Sequence, residues 1–177
     1  MSGLWRRMLG RDAPAGFHGE LDGDERVLGD AVSTEGAVLA TSHGLWLPFD
    51  GAHRLLGWHL ISRANWSPDV LTLVEADEIG TAGSAVLLAD RAPAPYRLLE
   101  ARSVPRVILQ RVTGSIKSSQ HRELPGGGAW FVQRTVRGVD GVVLQVRPDP
   151  GADVDAIRPI AVRVADGLDT ARKKLDD

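Results

Sequence analysis

Between Gly36 and Glu75 short apolar runs and turn residues succeed one another so regularly that few folds can accommodate the chain. Leu45, Leu47 and Phe49 fall on one side of a pleat and Trp46 on the other, the period of two that a half-buried strand requires. A turn at Glu35 and Gly36 opens a strand over Ala37 to Ala40, and Ser42, His43 and Gly44 make a tight turn into Leu45 to Phe49. Asp50 and Gly51 then turn the chain into His53 to Trp58, and after Pro68 and Asp69 the run Val70 to Val74 has the β-branched, leucine-rich character of a buried strand. Connections this short join spatial neighbours, so the stretch reads as an antiparallel meander. A strand near Arg26 to Val32 precedes it, and strands at Ala85 to Ala89 and Tyr96 to Leu99 bring the number to about seven before the first helix.

The order Thr41, Gly44, Leu45, Trp46, Leu47, then Arg54, Leu55, Trp58, Ile61, and then Leu71, Thr72, Leu73 resembles the bacterial PH-like (GRAM-like) domain family. The resemblance covers roughly Leu21 to Leu99 and rests on a hydrophobic pattern rather than a signature motif. It implies an α+β fold, a bent antiparallel barrel closed at one end by a helix. It also implies a binding scaffold, with no catalytic residues to carry over.

Ser103 followed by Pro105 is a helix start, and Val104, Ile108, Val112 and Ile116 recur every four residues, predicting a helix to about Glu123. Its other face would carry Arg106, Arg111, Lys117, His121 and Arg122, a basic contact face or simply the cations that a helix C-terminus favours. Beyond Gly126 to Gly128, Trp130 to Arg137 and Val142 to Arg147 flank Gly138 to Gly141 as a hairpin, with Val142 to Val146 as a candidate edge for self-association. Asp153 to Leu175 shows the clearest helical period, with Pro159 predicting a kink or a late start. Either this helix caps the barrel and the Val104 segment is an insertion, or hairpin and helix together are an addition that completes the sheet. The domain reading is a basic segment and linker over residues 1–19 and one domain over 20–177.

Residues 1–11 differ from the rest. If helical, Leu4, Trp5, Met8 and Leu9 form an apolar stripe beside Arg6, Arg7 and Arg11, the pattern of a short anchor on an anionic membrane; the alternative is a frayed terminus. Asp12 to Gly19, with Pro14 and Gly16, reads as a linker.

Chemistry is sparse. With no cysteine, thiolate nucleophiles and cysteine-type metal or iron-sulfur sites are excluded, and a net charge of −2 does not announce a nucleic-acid partner. Asp22, Asp24 and Glu25 superficially suggest a calcium loop, yet Ser33 stands where a loop opened by Asp22 needs its bidentate acid, so a solvated loop is expected. The spacing of His43, His53 and His59 matches no zinc motif, Ser84 lacks the glycine two residues on that a nucleophile elbow needs, and Glu75, Asp77 and Glu78 read as loop acids. Trp46, Trp58, Trp66 and Trp130 are expected in the core. The resulting expectation is a non-catalytic module without metal or cofactor, binding a protein partner in the bacterial cytoplasm. Peripheral membrane attachment through residues 1–11 is the second reading, and a small enzyme gathering His53 or His59 with Glu75 or Asp77 the third.

Overall fold

Each hairpin of the meander is closed by a turn whose chemistry is local. The computed structural model describes residues 13–176, and in it Ser33 Oγ donates to the Gly36 carbonyl at 2.7 Å and accepts the Glu35 amide at 3.2 Å, turning β1 (Val27–Ser33) into β2 (Gly36–Thr41). Asp50 and Gly51, both at positive φ (49° and 72°), link β3 (Gly44–Phe49) to β4 (Ala52–Gly57), the backbone sense that matches strand twist. Between β2 and β3 the Thr41 hydroxyl accepts the amides of His43 and Gly44 at 3.1 and 3.2 Å. A Cβ on Gly44 would lie 2.3 Å from the Leu56 carbonyl oxygen, so glycine is what lets β3 and β4 approach here.

The chain forms two compact units, the described part of 1–75 with 92–114, and 76–91 with the described part of 115–177. In the first, a 3-10 turn (Trp58–Leu60) leads from β4 to β5 (Ile61–Ser67), and the first half of β6 (Val70–Ala82) and β8 (Ala94–Glu100) complete the strand order β4-β3-β2-β1-β8-β6-β5. Every pair is antiparallel, and the sheet stays open, with β4 and β5 at its two ends rather than closed on each other. Helix α1 (Val104–Ser115) buries Val104, Val107, Ile108 and Val112 in the same core as Leu45, Leu47, Leu71, Leu73 and Leu98. The Val104 segment is thus the helix of the first unit and not an insertion.

That helix is shorter than its period predicts. Ile116 to Arg122, expected as its continuation, is β9, paired along β10 (Ala129–Arg134) from Ala129↔Arg122 to Arg134↔Ile116. Gly114 and the serines Ser115, Ser118 and Ser119 are weak helix formers, and ladder pairing with β10 decides the segment. In the second unit the end of β6 pairs with β7 (Ala85–Asp90), which lies parallel to β11 (Val143–Pro148), and β10 and β9 follow. Of the expected edge Val142 to Val146, all but Val142 lie in an interior strand, so it is no edge; β11 is flanked by β7 and β10 because the chain returns to β7 in parallel. Helix α2 (Val154–Asp176) lays Ile157, Ala161 and Ala165 on Leu87, Phe131, Leu144 and Val146. Asp153 Oδ1 accepts the amides of Asp155 and Ala156 at its start, so the helix begins before Pro159 and runs through it.

The α+β class and the two helices, one long and C-terminal, stand as expected. The tryptophans divide. Trp58 is buried and its indole N–H donates to the Thr41 carbonyl at 3.0 Å, whereas Trp66 (42% exposed) and Trp130 (45%) are open to solvent, as is Phe49. Trp130 sits on the pleat face opposite Ala129 and Phe131 of the core. Phe49 and Trp66 instead lie on the core face near the ends of their strands, Phe49 in phase with Leu45 and Leu47 and Trp66 opposite Leu71. Phe17, read as linker, docks edge-on against Trp46 with ring centroids 5.4 Å apart.

Candidate functional site

The most concentrated chemistry in the first unit surrounds the β2–β3 turn. Glu25, just ahead of β1, is 1% exposed, and its Oε1 accepts the Thr41 hydroxyl at 2.5 Å and the Trp46 indole N–H at 2.8 Å, while Oε2 accepts the Asp22 amide at 3.1 Å. The segment expected to be a solvated acidic loop thus delivers a buried carboxylate. Three donors fix its orientation, and they compensate the desolvation of its charge.

His43, 7% exposed, lies against this carboxylate. Its Nδ1 is 3.3 Å from Asp22 Oδ2 and 3.5 Å from Glu25 Oε2, and its Nε2 is 3.4 Å from Asp24 Oδ1. Nδ1 itself is buried and makes no hydrogen bond. Asp22, Glu25 and His43 present donor atoms within 4.8 Å of one another and form one of two clusters among the described residues able to hold a metal ion. The other joins His121, Glu123 and Asp149 in the second unit, where His121 Nε2 meets Asp149 Oδ2 at 2.8 Å beside the Trp130 ring. A Cβ on Gly128 would come within 2.3 Å of that Asp149 oxygen, so the pair closes over a glycine.

The residues named as enzyme candidates go to separate duties. His53 Nδ1 accepts the His18 amide at 3.1 Å, which leaves Nε2–H to donate to the Ala37 carbonyl at 2.8 Å and so pins the segment around Phe17 to β4. Glu75 is buried and gripped bidentately by Arg54 at 2.9 and 2.6 Å, a pairing whose hydrogen bonds raise the guanidinium pKa above its ordinary value. Tyr96 closes that group, its own pKa raised chiefly by burial. Asp77 is held by Arg91, whose hydrogen bonds lower the carboxyl pKa. Ser84 Oγ donates to Asp169 at 2.6 Å at the rim of a cavity of about 190 Å³ lined by Leu144, Leu168 and Arg172. Neither three-residue cluster contains His53 or His59.

Arg106 and Arg111 lie on α1 and Lys117 and Arg122 on β9, so the four cations do not share one helix face. Arg122 covers the Phe131 ring at 5.4 Å. The anchor residues Leu4, Trp5, Arg6, Arg7, Met8, Leu9 and Arg11 lie outside the described residues, and among the described ones no helix is long and apolar enough to cross a membrane. In the second unit Arg134 and Arg147 are buried on neighbouring strands. Desolvation, with a smaller contribution from Arg147, lowers the Arg134 pKa to about 10, and Arg147 is lowered by burial against the opposing pull of Asp90.

Nothing in the sequence spacing brings Glu25 and His43 together; the one legible sign was an acid standing directly before a strand. Comparison of the chain with protein-family models, with curated proteins and with solved structures finds no match.

Proposed function

We propose that the chain is a non-catalytic binding module whose first unit is a PH-like scaffold, and that it takes an extended segment of a protein partner along β5. The observation that carries this is the state of the sheet's ends. Among the described residues β5 is laddered to β6 on one side only, which leaves an outer row of backbone donors and acceptors over 63–67. Such a row is a template for an added strand. From Ala64 to Ser67 the strand carries no charge, and it presents Trp66 to solvent beside that row. The other ends are guarded: β9 carries Lys117 and Arg122, charges that discourage pairing, and β4 has His53 tied to the segment around Phe17. Support for a PH-like scaffold comes from the seven antiparallel strands of the first unit, the helix packed on them, and a core that includes Leu45, Trp58 and Leu71.

A photo-crosslinking residue in place of Asn65, in the full chain and in native cells, tests the reading. One partner segment crosslinked at position 65, and lost when Trp66→Lys is added, is the expected result. Crosslinking no greater than at an exposed α2 position such as Thr170 rejects it.

A further inference from the structure

We propose that Asp22, Glu25 and His43 form a binding site for a divalent transition-metal ion of the zinc class, with Asp24 as its positioning residue. This site is distinct from the β5 edge and does not depend on it. Four observations converge. His43 is 7% exposed, yet its Nδ1 has no hydrogen-bond partner and points between Asp22 Oδ2 and Glu25 Oε2. A buried ring nitrogen aimed at two carboxylates either carries a proton or donates its lone pair to a cation.

The separations fit the second case. Ligand atoms about 2.0–2.2 Å from a tetrahedral zinc stand about 3.3–3.6 Å from one another, and His43 Nδ1 lies 3.3 and 3.5 Å from the two oxygens. The far side of the ring completes the pattern. Nε2 faces Asp24 Oδ1 at 3.4 Å, as when a metal-bound histidine directs its other N–H to a carboxylate that fixes the tautomer. Glu25 is oriented in the same way: Thr41 and Trp46 occupy Oε1, so Oε2 is the oxygen turned to the site.

Charge and donor type narrow the ion. Three carboxylates face one imidazole, a local concentration of acidic groups that a dication offsets. One nitrogen with two carboxylate oxygens suits zinc or its first-row neighbours better than calcium or magnesium, which take all-oxygen shells. Asp22 is 69% exposed, so the fourth position opens to water. Bound there, the ion joins the segment ahead of β1 to the β2–β3 turn.

The test is calorimetric titration of zinc chloride into the full chain, stripped of metal and of any affinity tag, in parallel with Asp22→Asn, His43→Gln and His121→Gln. One ion per chain in the wild type is expected at this site, with affinity falling at least about tenfold in Asp22→Asn and His43→Gln and unchanged in His121→Gln. Asp22 is exposed, so its variant reports even if His43→Gln fails to fold. Visible absorption of the cobalt-loaded chain should show tetrahedral coordination that Asp22→Asn abolishes. No zinc uptake by the wild type, uptake unaffected by Asp22→Asn, or loss confined to His121→Gln each overturns the proposal.

Discussion

Removing the indole N–H of Trp46 and the charge of Glu25, singly and together, measures how far the first unit depends on its buried carboxylate. Glu25 Oε1 accepts the Trp46 N–H at 2.8 Å with the carboxylate almost wholly out of water. A hydrogen bond to a charged group contributes about 1.5–3 kcal/mol and one between neutral groups about 0.5–1.5. Glu25→Gln keeps an acceptor but removes the charge, so Trp46→Phe should cost about 1–1.5 kcal/mol less in the Glu25→Gln background than in the wild type. Loss of ring contacts, including the edge-on packing of Phe17, is common to both backgrounds and cancels. Native-state hydrogen exchange at the amides of Val38, Leu39 and Ala40, all fully buried in β2, reads the first unit by itself. Additive costs, within about 0.3–0.5 kcal/mol, would refute the reasoning and leave Glu25 a bystander to Trp46.

Three further outcomes follow from the packing and the charges. Gly44→Ala places a methyl 2.3 Å from the Leu56 carbonyl, an obstacle of backbone that cannot rotate away; equilibrium unfolding should show a loss of about 1–3 kcal/mol or more, and a loss below that range would mean that β3 and β4 separate easily. Pro159→Ala restores an amide inside α2 at an exposed position and should stabilise the second unit by about 1–3 kcal/mol, read by exchange at Val146; no gain would mean that the helix already accommodates the ring. The Asp77 carboxyl has its pKa lowered by Arg91, so the pair's contribution is present above the ordinary value of 3.8 and is lost as pH falls through the lowered one. The difference in melting temperature between wild type and Arg91→Gln should therefore shrink on acidification below that value, and a difference that persists in strong acid would assign Arg91 another role.

The hairpins of β2 to β4 and the stripe of α2 were legible because their signals are local: a period of two with Asp50–Gly51 between, and steps of three and four from Val154. What escaped depends on partners distant in sequence. Ile116 continues the four-residue repeat of Val104, Ile108 and Val112, and only the ladder with Arg134 makes it a strand. β11 carries an alternation equally suited to an edge, and its burial comes from a parallel return to the much earlier β7, as in the pairing of Gln145 with Val86. Trp66 and Trp130 have the composition of core residues, but the pleat sets Trp130 outside and Trp66 falls near the end of β5, beyond the well-covered core. The candidate site was the least legible part. Asp22, Asp24 and Glu25 carry the same letters whether solvated or buried, and it is the β1–β2 pairing, Val27 opposite Thr41, that brings Glu25 to the turn holding His43.

The proposal of a docking edge stands on β5, and amide hydrogen exchange along that strand in the unliganded full chain tests it most directly. Alternation is the predicted result over 63–67: amides bonded to β6 slow, and those of the outer row exchanging at rates near those of exposed loops. Uniform protection along the strand would show the outer row already filled and contradict an edge that awaits a partner.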